Sequence, residues 1–269
     1  MLHDKYEQLK NIFKEMGSVL VAYSGGVDST FMLKVAHDVL GDRAVAALAS
    51  SETYPSAEVD AAIDLAKKLN IRLITLHTDE IENEAFAKNA PDRCYHCKQE
   101  LFCKLNGIAA KEGLDYVVHG ANVDDLGDYR PGQQAAKELG IRAPLQETGF
   151  TKDEIRACSK ELGLPTWDKP SFACLSSRFP YGTPITSDAL VQIDEAEKLL
   201  ISLGFRQLRV RHHGTIARIE VESAEFPRLL EPEMREKIVA RFKELGYLYV
   251  TVDIEGYRTG SMNATLKTK

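Results

Sequence analysis

The sequence has 269 residues, a net charge of −6 and 44% hydrophobic residues. This length is enough for one large or two modest domains with hydrophobic cores. The acidic balance argues against a broad basic surface, so nucleic acid is not an expected partner. No apolar run is long enough to span a bilayer, and the N-terminal residues lack the apolar segment of a signal peptide. We therefore expect a cytoplasmic protein whose five cysteines serve metal or redox chemistry rather than a disulfide framework.

Buried strands and helices alternate through the N-terminal part of the chain. The pattern predicts strands at residues 19–23, 44–50, 72–76 and 116–119. It predicts helices at residues 29–40, 57–69 and 94–111. A capping box of Thr151 and Glu154 opens a further helix that ends near Gly163. This alternation predicts an α/β fold with a doubly wound parallel sheet and helices on both faces.

The regular alternation of strands and helices ends after Gly182. Helices are predicted at residues 187–203 and 233–245, and strands at residues 207–212, 216–221 and 248–254. The α-β-β-α-β order predicts a smaller α+β domain. We place the domain boundary between residues 182 and 183, which gives domains at 1–182 and 183–269.

The run Ser24-Gly25-Gly26-Val27-Asp28-Ser29 lies between the first predicted strand and the following helix. Glycines let the backbone approach an anion closely, and the helix aims free N–H groups at the charge. No Gly-Lys-Ser/Thr follows the glycines, so the run is not a Walker A motif. It resembles the PP-loop of the ATP-pyrophosphatase superfamily, which holds the pyrophosphate of ATP during adenylation. The hydroxyls of Ser24 and Ser29 suit that task and Asp28 suits Mg²⁺, whereas the alternative is a tight Gly-Gly turn.

Two further segments follow strands at the same sheet edge. The superfamily resemblance implies adenine contacts for Ser50 and Ser51, although an ordinary polar loop is an equal alternative. Gly120 and Asp125 follow the fourth strand, where they can contact the ribose or a metal ion. Arg130 comes just after them in a turn-like segment and completes the predicted ATP-binding set. The alternative for this region is an acidic surface loop with a Pro-Gly turn.

Cys94 and Cys97 form a C-x₂-C pair at the start of a predicted helix, and Cys174 lies far downstream. Three thiolates can hold a [4Fe–4S] cluster and leave one iron open to bind and deliver sulfide. Zinc, with the histidine between the paired cysteines as a further ligand, and a redox disulfide are alternatives that the spacing leaves open. Cys103 and Cys158 fall inside predicted helices, where we expect buried structural thiols.

The segment Ala-Cys-Leu-Ser-Ser-Arg-Phe-Pro-Tyr-Gly at 173–182 distinguishes among PP-loop families. Together with Asp-Tyr-Arg-Pro-Gly at 128–132 and the run at 24–29, it closely resembles the LarE family. Members are ATP-dependent sulfur transferases that build the organic part of the nickel-pincer cofactor of lactate racemase. The resemblance extends to Arg-Val-Arg at 209–211, Ala-Arg-Ile-Glu at 217–220 and Arg-Thr-Gly-Ser-Met-Asn at 258–263.

The resemblance implies a reaction and a sulfur source. ATP adenylates a carboxylate of pyridinium-3,5-biscarboxylic acid mononucleotide, and sulfur displaces AMP to give the thiocarboxylate. Some members sacrifice the sulfur of one cysteine, which aligns with Cys174, and lack the C-x₂-C pair. Because this chain has Cys94, Cys97 and Cys174, it resembles the branch in which a [4Fe–4S] cluster carries a transferable sulfide that an external source resupplies. The family also implies a homo-oligomer, a hexamer.

Site residues are carried over by the same resemblance. Two arginines on one strand, Arg209 and Arg211, are expected to grip the substrate phosphate, with Arg178 beside them; otherwise the strand pair is solvated edge-strand charge. Lys98 is expected to neutralise a phosphate or the adenylate. Glu197 and Glu220 are weaker candidates for structural or metal roles in the oligomer.

Three other functions compete with this interpretation. A PP-loop tRNA thiolase shares the adenylation and cluster chemistry, but the acidic charge and the absence of an RNA-binding extension argue against it. An amidotransferase-type ATP pyrophosphatase would not need the three cysteines. A non-enzymatic zinc- or nucleotide-binding module would bind ATP without releasing pyrophosphate.

Overall fold

The computed structural model describes residues 2–127, 131–170, 173–258 and 260–261. Contacts divide the chain into two compact units. The first comprises Met1–Ser51, Ala57–Glu80 and Asp92–Phe172, and the second comprises Glu52–Ser56, Ile81–Pro91 and Ala173–Lys269. The boundary that we place between residues 182 and 183 stays a prediction, because a division by contacts does not test which segments fold independently.

The first unit contains a four-stranded parallel sheet with the order β3-β2-β1-β4. Its strands are β1 (Val19–Ala22), β2 (Ala44–Ser50), β3 (Leu73–His77) and β4 (Tyr116–His119). Successive residues of the central strands are fully buried, among them Val19 and Leu20 on β1. Since successive side chains point to opposite faces, both faces of the sheet are covered. The predicted α/β fold is confirmed.

Helices flank this sheet and build the second unit. In chain order they are α1 (Leu2–Met16), α2 (Val27–Leu40), α3 (Ser56–Lys68), α4 (Glu84–Ala87), α5 (Arg93–Glu112), α6 (Pro131–Glu138), α7 (Pro144–Glu147), α8 (Lys152–Glu161), α9 (Ser187–Ser202), α10 (Phe226–Leu229) and α11 (Pro232–Glu244). The capping box that opens α8 is present: the Thr151 hydroxyl accepts from the Glu154 N–H at 3.3 Å, and the Glu154 carboxylate accepts from the Thr151 N–H at 2.9 Å.

Helix α1 is an element for which the sequence analysis made no prediction. Its Leu9, Phe13 and Met16 are buried at helical spacing and join the core that α2 and β1 share. Phe31 of α2 and Phe150 pack edge to face in that core, with ring centroids 5.5 Å apart.

The strand order places a topological switch point between β1 and β4. The chain runs outward from β1 through β2 to β3, then crosses back to form β4 on the other side of β1. Ligands of open α/β sheets bind at the carboxyl ends of strands at such a point. The segments that follow β1 and β4 are therefore the expected walls of a binding crevice.

The second unit has a three-stranded sheet made of β5 (Leu208–His213), β6 (Ile216–Val221) and β7 (Tyr249–Val252). β5 and β6 are antiparallel, and β7 runs parallel to β6. The predicted α-β-β-α-β order is present, with the short α10 inserted before α11. The two upstream segments of this unit, Glu52–Ser56 and Ile81–Pro91, are hydrogen-bonded to its main part. The Thr53 carbonyl accepts from the Leu175 N–H at 2.7 Å, and the Asn89 side-chain amide donates to the Pro180 carbonyl at 2.8 Å.

Within the described ranges, no helix combines the length and apolar character that crossing a membrane requires.

Replacing Gly25 by alanine is expected to lower the free energy of unfolding by about 2 kcal/mol. Gly25 has a φ of +69°, and an added Cβ would lie 2.6 Å from the Cβ of Ala62. The matched control is Gly26→Ala, because Gly26 has a φ of −80° and its nearest neighbour would be the Ser24 hydroxyl at 3.4 Å. The control is expected to cost about 1 kcal/mol, since alanine is a poorer N-cap than glycine. Urea unfolding checks both variants, and equal losses would contradict the packing argument.

Candidate functional site

The loop at residues 24–29 forms an anion cradle at the start of α2. Gly26 is the N-cap and has no side chain with which to cap the first turn, so the N–H groups of that turn point out of the helix. The hydroxyls of Ser24 and Ser29 lie 3.0 Å apart, and the Ser24 N–H donates to the Ser29 hydroxyl at 3.2 Å. The predicted glycine, amide and hydroxyl groups therefore lie together.

Gly120 brings the loop after β4 against this cradle. A Cβ at Gly120 would lie 3.0 Å from the Ser29 nitrogen and 3.2 Å from its Cα. Only glycine allows this approach of two backbones. Asp125, also in this loop, accepts from the Asn122 N–H at 3.0 Å and so shapes the turn.

Asp28 is held by two residues that sequence reasoning missed. The Asn122 amide donates to Asp28 Oδ1 at 3.3 Å, and the Lys152 ammonium is paired with Asp28 Oδ2. Asn122 is buried, whereas the Asp28 and Lys152 side chains are partly exposed. One feature of the sequence pointed to Lys152. It directly follows the Thr151 cap, and the start of a helix in this kind of fold is a common position for ligand-binding residues.

A second missed lysine, Lys169, contacts the other end of the loop. Its ammonium donates to the Gly25 carbonyl at 3.1 Å and is paired with Glu58 at 2.6 Å. Arg156 of α8 holds the segment around Lys169 by donating to the carbonyls of Trp167 at 2.6 Å and Lys169 at 2.9 Å. Helix α8 thus supports a lysine on each side of the cradle.

The other predicted nucleotide residues lie at or near this edge. Ser50 ends β2, where its hydroxyl donates to the Leu76 carbonyl at 3.4 Å, and Ser51 follows it. Lys98 lies on α5 near His119, the last residue of β4; burial and then the Lys98 charge lower the pKa of His119 to about 4. His119 is therefore neutral at neutral pH. Arg130 lies outside the described residues.

Cys94 and Cys97 lie near the start of α5, three residues apart and thus on one helix face. Cys94 is exposed and Cys97 half-buried. The Cys97 thiol lies 3.9 Å from Glu80 Oε1, and Glu80, which sequence reasoning missed, is a buried carboxylate that also accepts from the Thr78 hydroxyl at 2.9 Å. The predicted C-x₂-C pair therefore lies on a partly exposed face of α5.

The remaining cysteines differ in setting. Cys174, in the second unit, is half-buried and precedes the turn Leu175–Arg178. Cys158 is buried as predicted, and burial, followed by nearby carboxylates, raises its pKa to about 11. The prediction for Cys103 was wrong, because this residue of α5 is exposed. Among the residues that the structure describes, no three histidine, cysteine, aspartate or glutamate side chains are grouped so as to hold a metal ion.

Arg178 and Glu197 form a buried ion pair in the second unit. The guanidinium donates to the two carboxylate oxygens at 2.9 and 2.7 Å, and both side chains are almost fully buried. The same guanidinium donates to the carbonyls of Ala173 at 2.8 Å and Cys174 at 3.1 Å. Arg178 thereby fixes the backbone at Cys174.

Arg209 and Arg211 of β5 are both buried, so they are not solvated edge-strand charge. Arg211 makes a bidentate pair with Glu220 at 2.9 and 2.7 Å and donates to the Ser261 hydroxyl at 2.9 Å. Arg209 packs over the ring of Tyr257 at 5.0 Å. Burial, followed by repulsion from Arg178, lowers the pKa of Arg209 to about 10. The larger cause, burial, penalises the charged form because the guanidinium is removed from water.

Glu197→Gln is expected to destabilise the protein by about 3 kcal/mol, because it leaves the Arg178 charge buried without its partner. The matched control is Glu195→Gln on the same helix, where the carboxylate pairs with Lys198 and Arg241 and is 36% exposed. That exposed position is expected to contribute less than about 1 kcal/mol. Urea unfolding at neutral pH compares the two variants; a Glu197→Gln loss no larger than the control's would contradict the burial argument.

Comparison with known proteins relates this site to a family. The family model for NAD synthase matches residues 2–106. An uncharacterized protein of Synechocystis sp. is 45% identical over 266 residues, 99% of each chain, and an uncharacterized protein of Methanocaldococcus jannaschii is 31% identical over 258 residues, 95% of this chain and 98% of the relative. The pyridinium-3,5-bisthiocarboxylic acid mononucleotide synthase of Lactiplantibacillus plantarum is 42% identical over 266 residues, 98% of this chain and 96% of the relative. Since that similarity covers nearly all of both chains, this chain belongs to the family of pyridinium-3,5-bisthiocarboxylic acid mononucleotide synthases, the LarE family.

Proposed function

We propose that this protein is an ATP-dependent sulfur transferase that converts a carboxylate of pyridinium-3,5-biscarboxylic acid mononucleotide into a thiocarboxylate. The observation that carries the proposal is the anion cradle at residues 24–29, which lies beside Asp28 and against the loop at Gly120. Membership of the LarE family supports the substrate and product. The reaction needs an activated carboxylate and a sulfur donor, and the chain offers residues for both tasks.

The first step is adenylation. A carboxylate oxygen of the substrate attacks the α-phosphorus of ATP, and the bond from that phosphorus to the bridging oxygen breaks, so that pyrophosphate leaves with the electron pair. The N–H groups and hydroxyls of residues 24–29 bind the pyrophosphate. Asp28 suits Mg²⁺ because its partly exposed carboxylate offers the oxygen ligands that this ion prefers. Ser50 and Ser51 bind the adenine, and Gly120 and Asp125 the ribose.

The buried arginines recognise the phosphate of the mononucleotide. Arg209 and Arg211 lie two residues apart on β5, so that their side chains leave the same face of the strand. Guanidinium groups suit a phosphate because they donate several hydrogen bonds in a fixed geometry. Arg178 contributes positive charge near Arg209 while it fixes the Cys174 backbone. Lys98 neutralises the adenylate.

The three cysteines provide the sulfur route. Cys94 and Cys97 lie three residues apart on α5, and Cys174 is half-buried in the second unit. Thiolates of this kind are the ligands that iron–sulfur clusters use, which supports the proposal. A [4Fe–4S] cluster held by these residues would supply an open iron for a transferable sulfide, which an external source replenishes. Zinc, which the same thiols also suit, is the alternative metal. In the transfer step sulfur attacks the acyl carbon, and AMP leaves with the electrons of the acyl–oxygen bond.

The cellular setting follows from the family resemblance. We propose that the enzyme acts in the cytoplasm as a homo-oligomer and that its product serves the nickel-pincer cofactor of lactate racemase.

Cys174→Ser is expected to abolish thiocarboxylate formation and to leave ATP-dependent pyrophosphate release intact, because Cys174 serves sulfur delivery rather than adenylation. Mass spectrometry of the mononucleotide product and a pyrophosphate assay measure the two steps separately. Cys103→Ser is the matched control, since it removes an exposed thiol that has no assigned role. Undiminished thiocarboxylate formation by Cys174→Ser would refute the sulfur route.

Anaerobically purified protein is expected to be brown, with broad charge-transfer absorption near ~400 nm. Cys97→Ser is expected to lose most of this absorption and the associated iron, whereas Cys103→Ser on the same helix retains both. Visible spectra together with iron, sulfide and zinc analysis check the assignment. A colourless wild-type protein that contains one zinc ion would favour the alternative metal.

A further inference from the structure

We infer that the ring of Tyr257 recognises the pyridinium ring of the mononucleotide, so that Tyr257 is a specificity-determining residue for a cationic aromatic ring. This inference rests on the proposed function, which assigns the phosphate of the mononucleotide to Arg209 and Arg211. It concerns a residue for which the sequence analysis assigned no role. It starts from the contact between the Arg209 guanidinium and the Tyr257 ring, whose centroid is 5.0 Å away.

A tight turn fixes the backbone at Tyr257. The Gly256 N–H donates to the Asp253 carbonyl at 3.0 Å, and the Tyr257 N–H donates to the carbonyl of Val221, the last residue of β6, at 2.8 Å. Gly256 has a φ of +72°, and an added Cβ would lie 2.9 Å from the same Val221 oxygen. Only glycine allows this turn. The Tyr257 ring is therefore carried by a backbone that is held against β6.

Part of the Tyr257 side chain is accessible to a ligand. Tyr257 is half-buried, whereas Phe179 and Tyr247, which pack on His212 in the same unit, are almost fully buried. The Tyr257 side chain also lies within electrostatic range of Arg178. An accessible aromatic side chain is thus located beside the arginines of the proposed phosphate site, while the other rings contribute to the interior.

The position of this ring suits a mononucleotide. In such a molecule one ribose separates the phosphate from the aromatic ring. Because the Arg209 guanidinium contacts the Tyr257 ring, a phosphate that binds Arg209 lies one side chain away from that ring. A ribose can span this short separation and bring the pyridinium ring to Tyr257.

The charge of the ligand ring determines the selectivity. The face of a phenol ring carries negative electrostatic potential and attracts a cation that lies over it. The pyridinium ring has a permanent positive charge, since its nitrogen is bonded to the ribose carbon. The bound phosphate offsets the charge of Arg209, so that both cations can share one aromatic ring. Tyr257 thereby favours a pyridinium mononucleotide over a mononucleotide whose ring is neutral.

Calorimetric titration of the full-length protein without ATP compares three probes: nicotinic acid mononucleotide, its 1,4-dihydro form and ribose 5-phosphate. The first two differ in the charge of the ring, and the third keeps the phosphate but lacks the ring. Tyr257→Leu is expected to weaken binding of the pyridinium probe by about three- to thirty-fold and to leave binding of ribose 5-phosphate unchanged. Tyr257→Phe is expected to retain most of the affinity, because it keeps an aromatic face. Tyr249→Leu, at a tyrosine of β7 that is 63% exposed, is the matched control and is expected to bind all three probes as the wild type does.

Equal losses for the pyridinium probe and ribose 5-phosphate in Tyr257→Leu would overturn the inference, because Tyr257 would then only support Arg209; the absence of any loss would also overturn it. If thermal unfolding shows that Tyr257→Leu is misfolded, the wild-type protein decides. It must bind the pyridinium probe at least about three-fold more tightly than the dihydro probe, and equal affinities would overturn the inference.

The proposed function fails separately. A wild-type protein that binds the pyridinium probe through Tyr257 but forms no thiocarboxylate would refute sulfur transfer and leave the role of Tyr257 standing. A wild-type protein that binds none of the three probes would refute the phosphate site and the inference together.

Discussion

The backbone contact between Gly120 and the first turn of α2 is the constraint on which the nucleotide site depends. An added Cβ would lie 3.0 Å from the Ser29 nitrogen, so the loops after β1 and β4 meet with no side chain between them. Strand order makes those two loops neighbours, and the missing side chain lets them touch. As a result Asn122 reaches Asp28, and the carboxylate is held at the edge of the cradle. Gly120 therefore allows the close contact by which the sheet topology brings the two loops of the site together.

The ion pairs of the two units differ in how far they are buried. In the first unit, the paired charges at the cradle are partly exposed, as in the pair of Lys152 and Asp28. In the second unit, the pairs of Arg178 with Glu197 and of Arg211 with Glu220 are bidentate and buried. Breaking buried pairs is costly, so they hold backbone and strand positions. Arg209 is also buried, and burial is the main cause that lowers its pKa to about 10.

Local patterns predicted the strands, the helices and the residues of the cradle, because alternation, caps and turn residues are short-range features of the sequence. The bounds of β2 at Ala44–Ser50 and the capping box at Thr151 follow from burial pattern and cap chemistry alone. Lys152 and Lys169 escaped prediction, since each reaches the cradle from a distant part of the chain. Cys103 was misjudged for a simpler reason. The buried stripe of α5 runs through Leu101, Phe102, Leu105 and Ala109, and Cys103 lies off that stripe.

Cys174 is positioned by its backbone rather than by its thiol. Arg178 holds the carbonyls of Ala173 and Cys174, and the next N–H, that of Leu175, donates to Thr53 at 2.7 Å. The peptide groups on both sides of the cysteine are thus fixed, and its side chain is half-buried. A fixed backbone suits the proposed cluster ligand and the alternative of a direct sulfur donor equally. Under the proposed sulfur transfer, either route would use a cysteine whose backbone is held by Arg178, the arginine that forms the buried pair with Glu197.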